Sequence, residues 1–286
     1  MTAGTERHPA APADGIAGEG QKGMTTPGTN MNGYGFRHAV RMERIKLRSL
    51  RSTWWLAIAA VVSMAAAGAG VGLGYRSHTP VATAAQILNN SLGGAIVAQL
   101  LLGALGVLMV TGEYGTGMIR STLAAVPRRR IVLAAKVAVC GGAALTVGLV
   151  ASFAGYLSGQ LAIRGTAIPA ASLADPAILR AVLLTGVYLG VTALIGVGIG
   201  TIVRHGGAAI GTLFALMFVP MIVAGLFGES GIAVGRFVPL LMLLNSIAVT
   251  SPVPGLFSGW ISALLMCGYA AVAILCGGML LRHRDA

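Results

Sequence analysis

An all-α integral membrane fold with six transmembrane helices is predicted by three observations. The 286-residue chain is 56% hydrophobic and only 10% charged, whereas a soluble domain carries about 25% charged residues. Six charge-free apolar stretches are each long enough to cross about 30 Å of hydrocarbon at about 1.5 Å per residue. Lysine and arginine border those stretches asymmetrically. No stretch alternates strictly between apolar and polar, and each is too long for one strand of a membrane barrel, so the spans are helices. The 42 glycines sit inside apolar runs, which a disordered chain lacks. Cys140, Cys267 and Cys276 also lie in apolar runs without a metal or disulfide spacing, so they read as packing residues.

Taken in order, residues 1–33 are rich in Gly, Pro, Thr and Ala without apolar period, and are expected to form a disordered tail. They contain no apolar core of a signal peptide, so the first span is expected to stay attached. Residues 34–286 form one transmembrane domain. It opens with an amphipathic helix over 36–51, where Phe36, Ala39, Val40, Leu47 and Leu50 share a face at 100° per residue. Arg37, Arg41, Arg44, Arg48 and Arg51 make an adjacent stripe suited to anionic lipid or an acidic partner surface. Glu43 projects into the apolar face and needs a partner, either Lys46 or a group on another chain. Trp54 and Trp55 mark the membrane interface, and the span cores follow at 54–74, 91–111, 137–157, 181–203, 207–227 and 259–281. Pro220 is expected to kink the fifth span. The run 237–250 is too short to cross, holds Pro239 and Asn245, and is expected to be a re-entrant segment on the outer face.

The basic residues orient the domain. With the N-terminus inside, sixteen lysines and arginines fall on the cytoplasmic side and four (Arg76, Arg164, Arg180, Arg236) outside, which places both termini in the cytoplasm. The expected location is a cell membrane, as a multi-pass protein. The bias of 17 Arg to 3 Lys, with high Ala and Gly, points to a GC-rich bacterial genome and so to a bacterial cytoplasmic membrane.

The segment 112–136 between spans two and three carries the most information. Glu113 stands at the mouth of span two, where a lone carboxylate is costly, and Arg120, Arg128 and Arg129 are the partners expected for it. Met118 to Val126 reads as a short helix stopped by Pro127 and lying across the cytoplasmic surface. A short stiff element held at both ends by spans can receive force from a soluble partner. Glycine pairs at four-residue spacing (Gly68/Gly72, Gly70/Gly74, Gly186/Gly190, Gly196/Gly200, Gly207/Gly211) imply close helix packing. Gln99, Tyr188 and Thr192 are candidates to line a pathway, the alternative being hydrogen bonds to neighbouring helices.

Glu113, Tyr114, Gly117, Leu123, Pro127, Arg129 and Lys136 resemble the coupling-helix region of ABC transporter permeases of the ABC-2 type. The stretch RMERIKLRSLRSTWW similarly resembles that family's connecting helix. The resemblance covers roughly residues 36–284 and departs from the family at Gly117-Met118, where Gly-Thr is usual. It implies a permease subunit of an ATP-driven exporter, with Glu113, Tyr114, Gly117, Arg120, Leu123, Pro127 and Arg129 contacting a separate ABC ATPase subunit. ATP and Mg would be bound by that subunit, and none by this chain. It further implies a homodimer, or a heterodimer with a paralogous permease.

The residues bear on that division of labour. None of Lys22, Lys46 and Lys136 follows a glycine, so the glycine-lysine pair of a phosphate-binding loop is missing from this sequence. The five histidines are scattered, no span contains a His or Asp, and neither catalytic nor metal-ligating residues are assigned. Basic residues border spans rather than a soluble face, which argues against nucleic acid. Spans rich in Ala, Gly, Val and Leu suit a drug-like or lipid-like substrate. The competing expectation is a non-transport membrane scaffold or sensor that recruits a soluble partner through its basic inner face.

Overall fold

A computed structural model describes residues 35–78, 83–118, 129–227, 229–249 and 255–283. The expected tail over 1–33 lies outside the described residues, as do Arg120, Leu123, Pro127 and the short helix after Met118. The described residues are helical, with no strand among them. Helix α1 spans Phe36–Ser49 and α2 Arg51–His78. Then come α3 Ala84–Ser91, a 3-10 turn Leu92–Gly94 and α4 Ala95–Gly115. After them follow α5 Arg129–Ala162, α6 Pro176–Val203, α7 Gly206–Leu226, α8 Glu229–Gly235, α9 Pro239–Ile247 and α10 Gly259–His283. Six helical stretches are long and apolar enough to cross a membrane, and each contains one of the six cores expected from hydropathy, apart from the last residue of the fifth.

The helices outrun those cores because hydropathy marks the hydrocarbon, whereas a helix stops only where capping or a breaker stops it. Helix α5 has 34 residues, about 51 Å at 1.5 Å per residue, well beyond the bilayer core. Asp175 caps α6 by accepting from the Ala177 amide at 2.8 Å, with Pro176 at the first position. Thr83 and Gln86 form a reciprocal capping box that starts α3 eight residues before the expected span. The second span is therefore not one regular helix. It tightens at Leu92–Gly94, where a methyl group on Gly94 would lie 2.7 Å from the Ala67 side chain of α2. Helix α7 continues through Pro220.

Helix α6 is the axis of the bundle. It packs against α4, α5, α7 and α10, and 83% of its apolar stretch is buried, against 22% for α7 and for α10. Lipid offers no hydrophobic drive between helices, so small residues that let backbones approach do this work. Gly196 rests on the Gly103 carbonyl, Gly106 on the Ala193 carbonyl, and Gly186 and Gly190 on Leu149 and Leu145. Gly68 and Gly72 of α2 meet Gly155, Gly159 and Ala162 of α5. The pair Gly70/Gly74 and Gly211 face open space instead.

The segment 237–250, expected to be re-entrant, holds one short helix, α9, and α8 precedes it across a turn. Tyr188 donates to the Pro239 carbonyl at 2.7 Å and Arg180 to the Ala248 carbonyl at 2.9 Å. The Val249 amide donates to Asn89 at 3.1 Å, and Asn245 donates to the Phe257 carbonyl. Side chains from α3 and α6 thus satisfy backbone groups that a short segment leaves open.

Candidate functional site

The arrangement with the most chemistry lies at one end of the bundle, where α1 meets the last turn of α4 and the second turn of α5. Helix α1 turns inward a narrow face built on Ala39 and Glu43, which are 3% and 2% exposed. Phe36 and Leu50, on the apolar face expected to lie in the headgroup boundary, are 47% and 43% exposed. The small Ala39 lets α1 sit against α5, and the face is centred on a carboxylate rather than on hydrophobes. A bend at Leu50 separates α1 from α2. It is fixed by the Trp54 indole, which donates to the Arg48 carbonyl at 3.2 Å. Arg37, Arg41, Arg44, Arg48 and Arg51 all point outward and are exposed.

Four charged side chains converge on the inward face. Lys136 donates to Glu43 Oε2 at 2.8 Å, to Glu113 Oε1 at 2.8 Å and to the Met109 carbonyl at 3.2 Å. These use all three donors of an ammonium. Lys46 donates to the same Glu113 oxygen at 2.9 Å and to Glu43 Oε1 at 3.4 Å. Two carboxylates and two ammoniums make a neutral quartet that ties three helices together. Exposure of the four side chains is 3% for Glu43, 8% for Glu113, 5% for Lys136 and 18% for Lys46. Neutrality is what permits the burial, since an isolated charge there would carry several kcal/mol of desolvation cost.

Arg120, Arg128 and Arg129 are the partners expected for Glu113. Lysines from α1 and α5 hold it, whereas the side chains of Arg120, Arg128 and Arg129 lie outside the described residues. A compact ammonium fits between two carboxylates where a planar guanidinium would prefer to pair with one side-on. In a chain with 17 Arg and 3 Lys, that lysine usage was the signal available for Lys46 and Lys136. Glu113 Oε2 is buried and has no hydrogen-bond partner among the described residues. A cleft of about 410 Å³ opens beside it, bordered by Glu43, Lys46, Thr53, Thr116 and Met118.

The rest of the motif has a physical role in ending α4. The Thr116 amide donates to the Gly112 carbonyl and the Gly117 amide to the Tyr114 carbonyl, at 3.2 and 3.3 Å. Gly117 then leaves the helix at φ +70, a left-handed conformation that only glycine adopts without cost. Gly117→Ala is expected to cost about 1 kcal/mol for that reason, readable as a lowered thermal midpoint. An unchanged midpoint would show that the turn does not need glycine. The guanidinium of Arg204 lies 5.3 Å from the centre of the Tyr114 ring, which links the end of α6 to the same site. Arg204 itself has φ 62 and closes α6 through its amide to Gly200. Charge counting marked it only as an orienting residue.

Gln99, Tyr188 and Thr192 lie elsewhere, fully buried inside the protomer. Tyr188 reaches Gln99 at 3.3 Å, and Thr192 bonds back to the Tyr188 carbonyl at 2.9 Å. They hydrogen-bond within the bundle and do not approach the quartet.

Among known protein families, the one described as "ABC-2 family transporter protein" matches residues 39–219. That is more than half of the chain and includes all four members of the quartet. No curated protein matches it.

Proposed function

The chain belongs to the ABC-2 family of transporter proteins, and on that premise we propose that it is the permease subunit of an ATP-driven exporter. The family supplies the non-enzymatic membrane component and works with a separate ATPase subunit. In our proposal both termini and the quartet end face the cytoplasm, where the ATPase docks beneath the segment 112–136 and beside α1. ATP-driven closure of the ATPases displaces that segment, and the quartet passes the displacement to α1, α4 and α5 as one body. Two copies, or one copy and a paralogue, would enclose the translocation path. The apolar spans suit a drug-like or lipid-like substrate.

The observation that carries this proposal is the buried quartet. Holding an amphipathic surface helix to the roots of two spans through charge pairs is a way to transmit motion, and a passive anchor needs only the apolar contact. The test is to purify the chain with its ATPase in nanodiscs and to measure ATP hydrolysis with amphipathic compounds present. Compound-stimulated hydrolysis by a stable complex is the expected result. A transport-active preparation containing no other chain would overturn the proposal.

The arginine stripe gives a second test. Arg41→Glu together with Arg44→Glu is expected to reduce ATPase co-purification at least about fivefold, while leaving thermal stability unchanged because both side chains are exposed. Unaltered co-purification would remove α1 from the docking surface.

A further inference from the structure

We propose that the groove between α5 and α10 is a binding site for an anionic phospholipid. The groove has a volume of about 640 Å³ and opens along the outer side of the two helices. It exists because Ala134 and Ala138 on α5 and Gly278 on α10 present almost no side chain where their neighbours Leu275 and Met279 project. The lining is apolar apart from Arg130, which is exposed in the first turn of α5.

The chemistry selects the occupant. Both helices are long and apolar enough to span a membrane, so the trough opens toward hydrocarbon and takes an acyl chain. Arg130 stands at its end, where α5 begins, and the positive end of the helix adds to its field there. Leu281, at the same end of the lining, is followed in sequence by Arg282. An apolar trough closed by a cation at headgroup level calls for a ligand with an acyl chain and an anionic head. A zwitterionic lipid fills the trough equally well but gains little from Arg130.

A second copy of the chain fits less well. Among the described residues the carboxylates are Glu43, Glu113, Asp175 and Glu229. The first two are held by lysines, Asp175 caps α6, and Glu229 is the first residue of α8; these two helices start at the opposite end of the bundle. A second copy in the same orientation therefore brings no described carboxylate to Arg130. Lipid binding here does not depend on what the protein moves.

Native mass spectrometry of the purified full chain tests this, with phosphatidylglycerol and phosphatidylcholine of matched acyl chains. Preferential retention of phosphatidylglycerol is expected, with Arg130→Gln weakening it about fivefold and leaving phosphatidylcholine unchanged. Ala138→Phe, or Ala134→Leu should the first variant elute as aggregate, is expected to displace both lipids by filling the trough. Equal retention of the two lipids, or indifference to Arg130→Gln, would overturn the proposal. So would disulfide formation between two copies carrying Ala134→Cys, since the groove would then be a protein interface.

Discussion

Lys136→Met is expected to destabilise the protein by about 3–5 kcal/mol, the cost of leaving a buried charge uncompensated. Lys136 spends all three donors, on Glu43, Glu113 and the Met109 carbonyl. Without it two carboxylates, 3% and 8% exposed, face one ammonium that is already partly drawn to solvent. Methionine keeps the length and flexibility of the side chain, so lost packing contributes little. Glu113→Gln should cost less, because the amide oxygen still accepts from a lysine. The double variant Lys136→Met with Glu113→Gln leaves Glu43 and Lys46 as a balanced pair. It should recover a large part of the single variant's loss, the non-additivity that a shared network requires. Thermal unfolding in detergent reads all three, and a Lys136→Met midpoint equal to wild type would mean that the quartet does not hold these helices.

The same network separates stability from coupling. Glu113→Ala leaves Glu43 between two lysines, and Lys46, at 18% exposure, can turn toward water. That variant is expected to assemble but to lose compound-stimulated ATP hydrolysis, because α4 no longer moves with α1. Normal stimulation by an assembled Glu113→Ala complex would end the proposed role of this carboxylate.

How far the sequence could be read divides along a physical line. Hydropathy finds the six helices that are long and apolar enough to cross a membrane, because lipid demands long apolar runs. It cannot find the capping box at Thr83, which lies eight residues before the second span core, or the tightening at Gly94, which depends on where α2 approaches. Glu113 was conspicuous as an acid beside a span, and Glu43 as an acid on an apolar face. That the two share a pair of lysines depends on the fold, since Glu43 and Lys136 are 93 positions apart. A helical wheel groups Ala39 with Phe36 and Leu50 on one apolar face but does not tell which part of that face meets protein. Here Ala39 and Glu43 meet it, and Phe36 and Leu50 stay exposed.

Adding a single methyl group at the crossing of α4 and α6 is expected to be nearly as damaging. A Cβ on Gly106 would strike the Ala193 carbonyl and one on Gly196 the Gly103 carbonyl, in both cases backbone that cannot rotate away. The helices must then separate, and α6 is the element on which α4, α5, α7 and α10 pack. Overpacking of this kind costs about 1–3 kcal/mol for one group, so Gly106→Ala and Gly196→Ala should each lower the thermal midpoint clearly. Gly70→Ala and Gly142→Ala are the matched controls, with no atom in reach of the added methyl. Those should be neutral or stabilising, since alanine is the better helix former by up to about 1 kcal/mol. The two damaging sites lie on one contact, so the double variant should cost less than the sum of the singles. Once the first methyl has pushed α4 away from α6, the second meets space already opened. Strict additivity would mean that each clash is relieved locally and that the helices do not move apart as rigid rods. Equal damage from Gly70→Ala would show that its open face is covered in the assembled protein.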